Sequence, residues 1–203
     1  FYMYLNEKDA LVKEVEKVVV EPIRDKKQIQ KMKTYLLGRS DRDYLLFTVG
    51  INVGLRVSDL LRLQYKDIFT DNGSFRQHLV IREQKTGKVK KIRLNDTVKK
   101  AIKDYVRIHE LSGEDYLFES KKGGYITRVQ AYKILREAAE AIGIEQFGTH
   151  SMRKTWGYHS YLTSKHNIGL IMDMFSHSSE QICLRYIGIN QEQKDELYSM
   201  VQL

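Results

Sequence analysis

Cysteine and proline are almost absent, with one of each, Cys183 and Pro22, in 203 residues. A single thiol excludes an internal disulfide framework and any zinc site built from several cysteines. It leads to the expectation of a reducing, cytoplasmic setting. No apolar run approaches the roughly 20 residues that span a bilayer. An export signal is missing too, since residues 5–20 are interrupted by Glu7, Lys8, Asp9, Lys13, Glu14, Glu16 and Lys17. No membrane partner is therefore expected. Low-complexity linkers and internal repeats are not found, nor is a spaced carboxylate cluster of the two-metal nuclease type. Asp41 and Asp43 read as helix-start residues, so neither metal nor cofactor is expected.

What remains is an ordinary globular composition, 42% hydrophobic and 30% charged, long enough for one sizeable core. The net charge of +8 is concentrated: residues 76–100 hold nine Lys/Arg against two acids. Such a block suits a polyanion, because each neutralised phosphate releases condensed counterions. A solvated basic hairpin without a partner is the plain alternative, and charge alone leaves both open.

Apolar spacing predicts a mostly helical fold with one small antiparallel sheet, an α+β class. Helices are expected over 25–37, from a cap at Asp41 to Gly54, and from about Ser58. Strands are expected over 75–84 and 88–94, joined at Lys85-Thr86-Gly87, where Gly87 can take a positive φ. Asn95 and Thr127 read as N-caps of two further helices, the second stopping at Gly143. Helices follow over 150–162, 168–175 and 180–186, with a short amphipathic tail carrying Leu197, Met200 and Val201.

Four local signals carry chemistry. In Gly54-Leu55-Arg56-Val57-Ser58-Asp59, Arg56 lies between two helices, where its planar fork can meet a phosphate in bidentate fashion. Asp59 is placed to orient that fork, or the two form a surface pair of little consequence. Lys85 at the hairpin tip can donate a proton to a departing oxygen, or merely tether phosphate beside Lys88, Lys90 and Lys91. His150 and Arg153 share one face at a helix start, where free N–H groups favour an anion. Phe175-Ser176-His177-Ser178-Ser179 precedes Tyr186 by a short helix that can carry the phenol back to His177. Most of the 13 tyrosines only pack a ring and bond a hydroxyl. Together the set supplies two guanidiniums, two imidazoles, an ammonium and a phenol, the parts that tyrosine attack on a phosphodiester requires.

Read in order over residues 25–190, Arg56, Lys85, His150-x-x-Arg153, His177 and Tyr186 resemble the catalytic domain of the tyrosine recombinase (phage integrase) family. The resemblance implies that Arg56 and Arg153 bind the scissile phosphate and that Lys85 is the general acid. It implies that His150 assists proton transfer at the nucleophile, that His177 bonds the phosphate, and that Tyr186 forms a 3′-phosphotyrosine. Double-stranded DNA is the implied partner, contacted also through Arg82, Lys88, Lys90, Lys91 and Lys154. Self-association as a tetramer on DNA, accessory DNA-bending proteins, and a bacterial or phage-encoded, nucleoid-associated protein are implied as well. Type IB topoisomerase-like relaxation and a non-catalytic DNA-binding regulator are the alternatives.

Three features depart from the family pattern. Phe175-Ser176 stands for the usual Leu-Gly, and Lys154 stands where many relatives have histidine. At most 24 residues, read as an arm or linker, precede the catalytic part where most members carry a helical DNA-clamping domain. The expectation is an excised domain or a minimal member. Residues 191–203 are expected to form a C-terminal tail that docks on a neighbouring copy or folds back on its own domain.

Overall fold

The computed structural model describes residues 20–189 and 198–202. Residues 1–19 of the expected arm over 1–24 and Leu197 of the tail lie outside the described residues, and Met200 and Val201 are exposed. Helices α1 (Lys26–Leu37) and α2 (Asp41–Val53) are followed by the short α3 (Val57–Leu60) and α4 (Tyr65–Ile68). Strands β1 (Leu79–Arg82) and β2 (Val89–Ile92) pair antiparallel, with Leu79 opposite Ile92 and Arg82 opposite Val89. Helices α5 (Asp96–His109), α6 (Arg128–Ala141), α7 (Thr149–Thr163), α8 (Ile168–Phe175) and α9 (Glu180–Tyr186) follow.

Caps set most helix starts. Asp25, Ser40, Asn95, Thr127, Asn167 and Ser179 each accept from a backbone N–H of the first turn that has no helical partner. Helix α2 is buried along eight of its residues and forms the centre, contacting α1, α5 and α7. Gly50 permits its closest approach to α7, since a Cβ there would lie 2.4 Å from the Met152 sulfur. The large core around α2 includes Leu45, Leu46, Phe47, Leu60, Ile102, Leu135 and Phe147. A second, separate cluster consists of Ile171, Phe175, Cys183 and Ile187, from α8 and α9. Gly157 lets α7 seat on that cluster, because a Cβ would lie 2.6 Å from the Phe175 ring and 2.8 Å from Ile187.

Three expectations need correction. The cap of α2 is Ser40, whose hydroxyl accepts from the Asp43 N–H, and Asp41 is already the first helical residue. Both strands are shorter than the alternation suggested, because Phe75 turns to stack on Phe69 at 4.5 Å instead of joining β1. The helix expected from Ser58 ends at Leu60, and a separate helical turn begins at Tyr65, where Asp67 accepts from the Gln64 N–H at 2.9 Å.

Residues 20–24 strap the domain ahead of α1. Glu21 N–H donates to Gln146, Ile23 N–H to the Thr155 hydroxyl, and Arg24 to the Gly188 carbonyl just past Tyr186. Ile23 is buried in the large core.

Candidate active site

The α2–α3 junction is built on Gly54. Its φ of +64° lies in the left-handed region, and a Cβ would lie 2.4 Å from the Trp156 ring, so only glycine fits. The turn leaves Arg56 at the start of α3, partly exposed. On α7, Arg153 is buried at 3% exposure. Its guanidinium donates to the Gly54 and Phe175 carbonyls and lies 4.4 Å over the Phe175 ring.

The partner of Arg56 is Glu83 rather than Asp59. Glu83 Oε1 lies 2.7 Å from Arg56 Nη1 and 3.9 Å from Arg153 Nη1. Asp59 turns inward, and its Oδ1 accepts from the Gln84 N–H at 2.9 Å. Glu83 is only 1% exposed, just past the end of β1. Burial alone would raise its carboxyl. The Thr86 hydroxyl and the guanidiniums of Arg56 and Arg153 outweigh that and hold it below the usual carboxylate range. Sequence reasoning missed this residue. The one available signal was that it is one of only two acids inside a basic block.

Helix α9 brings Tyr186 back to His177, with ring centroids 5.0 Å apart at 79°. Both rings also meet Phe175. Burial pushes the Tyr186 phenol up, while the charge of Arg153 and its hydrogen bond to the phenol oppose the shift. Burial first, then Arg153 and Arg56, hold His177 below the usual histidine range. The His177 Nδ1 atom is buried without a hydrogen-bond partner among the described residues. His150 stands one turn before Arg153 on α7. Desolvation, then Arg128, Arg153, Lys154 and Arg56, depress it.

Lys85 projects, exposed, from the hairpin tip. Gly87 takes φ +68° there, and its N–H donates to the Glu83 carbonyl at 2.8 Å. Lys88 and Lys91 are exposed. The other expected DNA contacts have internal bonds. Arg82 donates to the Gly87 carbonyl, and Lys154 donates to Val20 and lies 5.5 Å over the Tyr186 ring. Lys90 caps the end of α8 through Asp173, Met174 and Ser176. The structure thus gathers Arg56, Arg153, His177 and Tyr186, with His150 one turn away and Lys85 on a tip rooted at Glu83.

Comparison with known proteins gives a consistent picture. Residues 23–193 match the Phage integrase family. The chain is 43% identical over 183 residues to the probable integrase/recombinase YoeC of Bacillus subtilis (strain 168), covering 90% of this chain and 97% of that one. The XerA recombinase crystal structure superposes with a TM-score of 0.70 at 18% identity, over 89% of this chain and 64% of that one. A XerH site-specific recombinase bound to palindromic difH substrate, a post-cleavage complex, gives 0.68 at 20% identity. That match covers 89% of this chain and 53% of the other. The chain therefore spans between half and two thirds of the length of these solved structures, and the likeness establishes the fold.

Proposed function

The chain belongs to the phage integrase family, and on that basis we propose that it cleaves and rejoins DNA strands at specific sites through Tyr186. The observation that carries the reading is a partly buried phenol packed edge-on against His177, with the charge of the buried Arg153 guanidinium acting on it. In the step proposed, the Tyr186 oxygen attacks phosphorus, its proton passes to His150, and the P–O5′ bond breaks. Lys85 protonates the departing 5′-oxygen, leaving a 3′-phosphotyrosine and a free 5′-hydroxyl. Rejoining reverses the step and needs no nucleotide cofactor, because the phosphotyrosine conserves the bond energy. Arg56 and Arg153 neutralise the non-bridging oxygens as charge builds in the transition state. A phosphate oxygen bonded to His177 would also satisfy an imidazole nitrogen that burial otherwise leaves at a cost of about 1–3 kcal/mol.

The exposed Lys85, Lys88 and Lys91 supply attraction to the duplex. Four copies exchange strands between two duplexes, with residues 191–203 as the docking tail and DNA-bending proteins as accessories. Nucleoid association follows from DNA binding; no helix among the described residues is long and apolar enough to cross a membrane.

The test uses a nicked duplex from the DNA flanking the chain's own coding sequence, so that cleavage releases a short 5′-hydroxyl fragment and traps the adduct. Wild type is expected to give a covalent adduct on a denaturing gel, and Tyr186→Phe none. An adduct with Tyr186→Phe, or no adduct with wild type, removes the reading. Plasmid relaxation without recombinant products would favour the topoisomerase alternative.

A further inference from the structure

Glu83 is the residue through which the arginine pair and the hairpin turn meet. A carboxylate this deeply buried costs several kcal/mol unless it is paired, and here both oxygens face a partner, one in an ion pair and one in a hydrogen bond. One oxygen faces Arg56 at 2.7 Å and Arg153 at 3.9 Å. The other accepts from the Thr86 hydroxyl at 2.6 Å. Its backbone closes the turn, donating to the Lys88 carbonyl at 2.9 Å and accepting from Gly87 N–H. Next to it, Gln84 N–H is pinned to Asp59. The tip that carries Lys85 is thus tied at its root to the group that orients the guanidiniums.

We propose that Glu83 is a positioning residue for strand cleavage: it aligns Arg56 and Arg153 on the phosphate and, through Thr86, holds the turn that delivers Lys85 to the leaving oxygen. This rests on the recombinase reading above. Its consequence is coupling. The groups that bind the non-bridging oxygens and the group that protonates the bridging one share a single buried anchor, so loosening it harms both. A carboxylate that instead competed with the phosphate for Arg56 would have the opposite sign, since removing its charge would then strengthen DNA binding.

The experiment compares wild type, Glu83→Gln and Thr86→Val, as full chains, on two versions of the nicked duplex. One carries the ordinary 5′-oxygen at the phosphate mapped with wild type. The other carries a bridging 5′-sulfur, whose thiolate departs without a proton. On the oxygen substrate Glu83→Gln should slow adduct formation about 10–100-fold, the usual scale for a residue that orients a reacting group. Thr86→Val should slow it several-fold less. Sulfur should return Thr86→Val close to the wild-type rate, because only proton delivery is lost. It should rescue Glu83→Gln only in part, because the arginines remain misaligned.

Equal slowing of each variant on both substrates, a wild-type rate for Glu83→Gln, or its faster cleavage overturns the proposal while wild type still forms adduct. Adduct from neither substrate with wild type removes the recombinase reading, and this proposal with it. If Glu83→Gln does not fold, the oxygen-to-sulfur ratio of Thr86→Val decides alone, and an unchanged ratio overturns the proposal.

Discussion

The two hydrophobic clusters divide the candidate site between them. The large core around α2 fixes Gly54, Arg56 and the root of the hairpin, whereas, among the described residues, the buried cluster beneath His177 and Tyr186 is Ile171, Phe175, Cys183 and Ile187. The half proposed to bind phosphate is therefore built into the stable body of the domain. The half with the proposed nucleophile rides on a small satellite of two short helices, α8 and α9. Stability is not uniform across a protein, and small clusters open at lower free energy than the global core. Arg153 joins the halves, with one nitrogen on the Gly54 carbonyl and its face on the Phe175 ring.

Severing that joint should have the largest effect. Arg153→Met is expected to lower adduct formation about 10²–10³-fold, the scale of losing one preorganised donor to a developing anion. It should also speed hydrogen exchange in α9 more than in α2. Equal acceleration in both helices would erase the distinction between them.

Gly157→Ala acts on the satellite alone, pressing a methyl into Phe175 and Ile187. Overpacking of this kind costs about 1–3 kcal/mol, partly offset by the better helix propensity of alanine. Amide exchange should show the loss in α8 and α9. Leu46→Ala in the large core should instead lower the unfolding free energy of the whole domain by about 2–5 kcal/mol, read in a denaturant titration. If Gly157→Ala unfolds α2 as readily as α9, the two clusters are one cooperative unit.

A smaller effect comes with pH. His177 and His150 both titrate below their ordinary value near 6.5. The unfolded chain then binds more protons than the native one, so stability is full above about pH 6.5 and falls as pH drops toward the folded values. Replacing both histidines with glutamine should flatten that slope in denaturant titrations between pH 7 and 5; an unchanged slope would place its origin elsewhere.

The smallest effect is at Ser176, which takes φ +56° at the end of α8. Ser176→Gly relieves about 1 kcal/mol of left-handed strain but forfeits the hydroxyl's bond to Lys90. The net expectation is a gain in stability under about 1 kcal/mol, read as a rise in Tm of a few degrees. A lower Tm would show that the Lys90 cap is worth more than the strain.

Much of this was legible in the residues. The caps at Asn95 and Thr127, the turn glycine at Gly87, and the meeting of His177 with Tyr186 across α9 all follow from short-range spacing. Not legible was which cations remain free. Lys90 and Lys154 look like their exposed neighbours in sequence, yet one caps α8 and the other bonds Val20 beside Tyr186. Asp59 looked like the mate of Arg56 because it is near in sequence, but the fold turns it to Gln84.

By itself, then, the sequence determined the helices, the hairpin, the basic block and the inventory of phosphate chemistry, because dihedral preference, capping and apolar period act within a few residues. Only the tertiary structure decided that residues 56, 83 and 153 share one ion cluster and that Tyr186 packs on its own small core. Those are contacts between segments distant along the chain. They depend on how α2, α7 and the hairpin pack together, which no local spacing encodes.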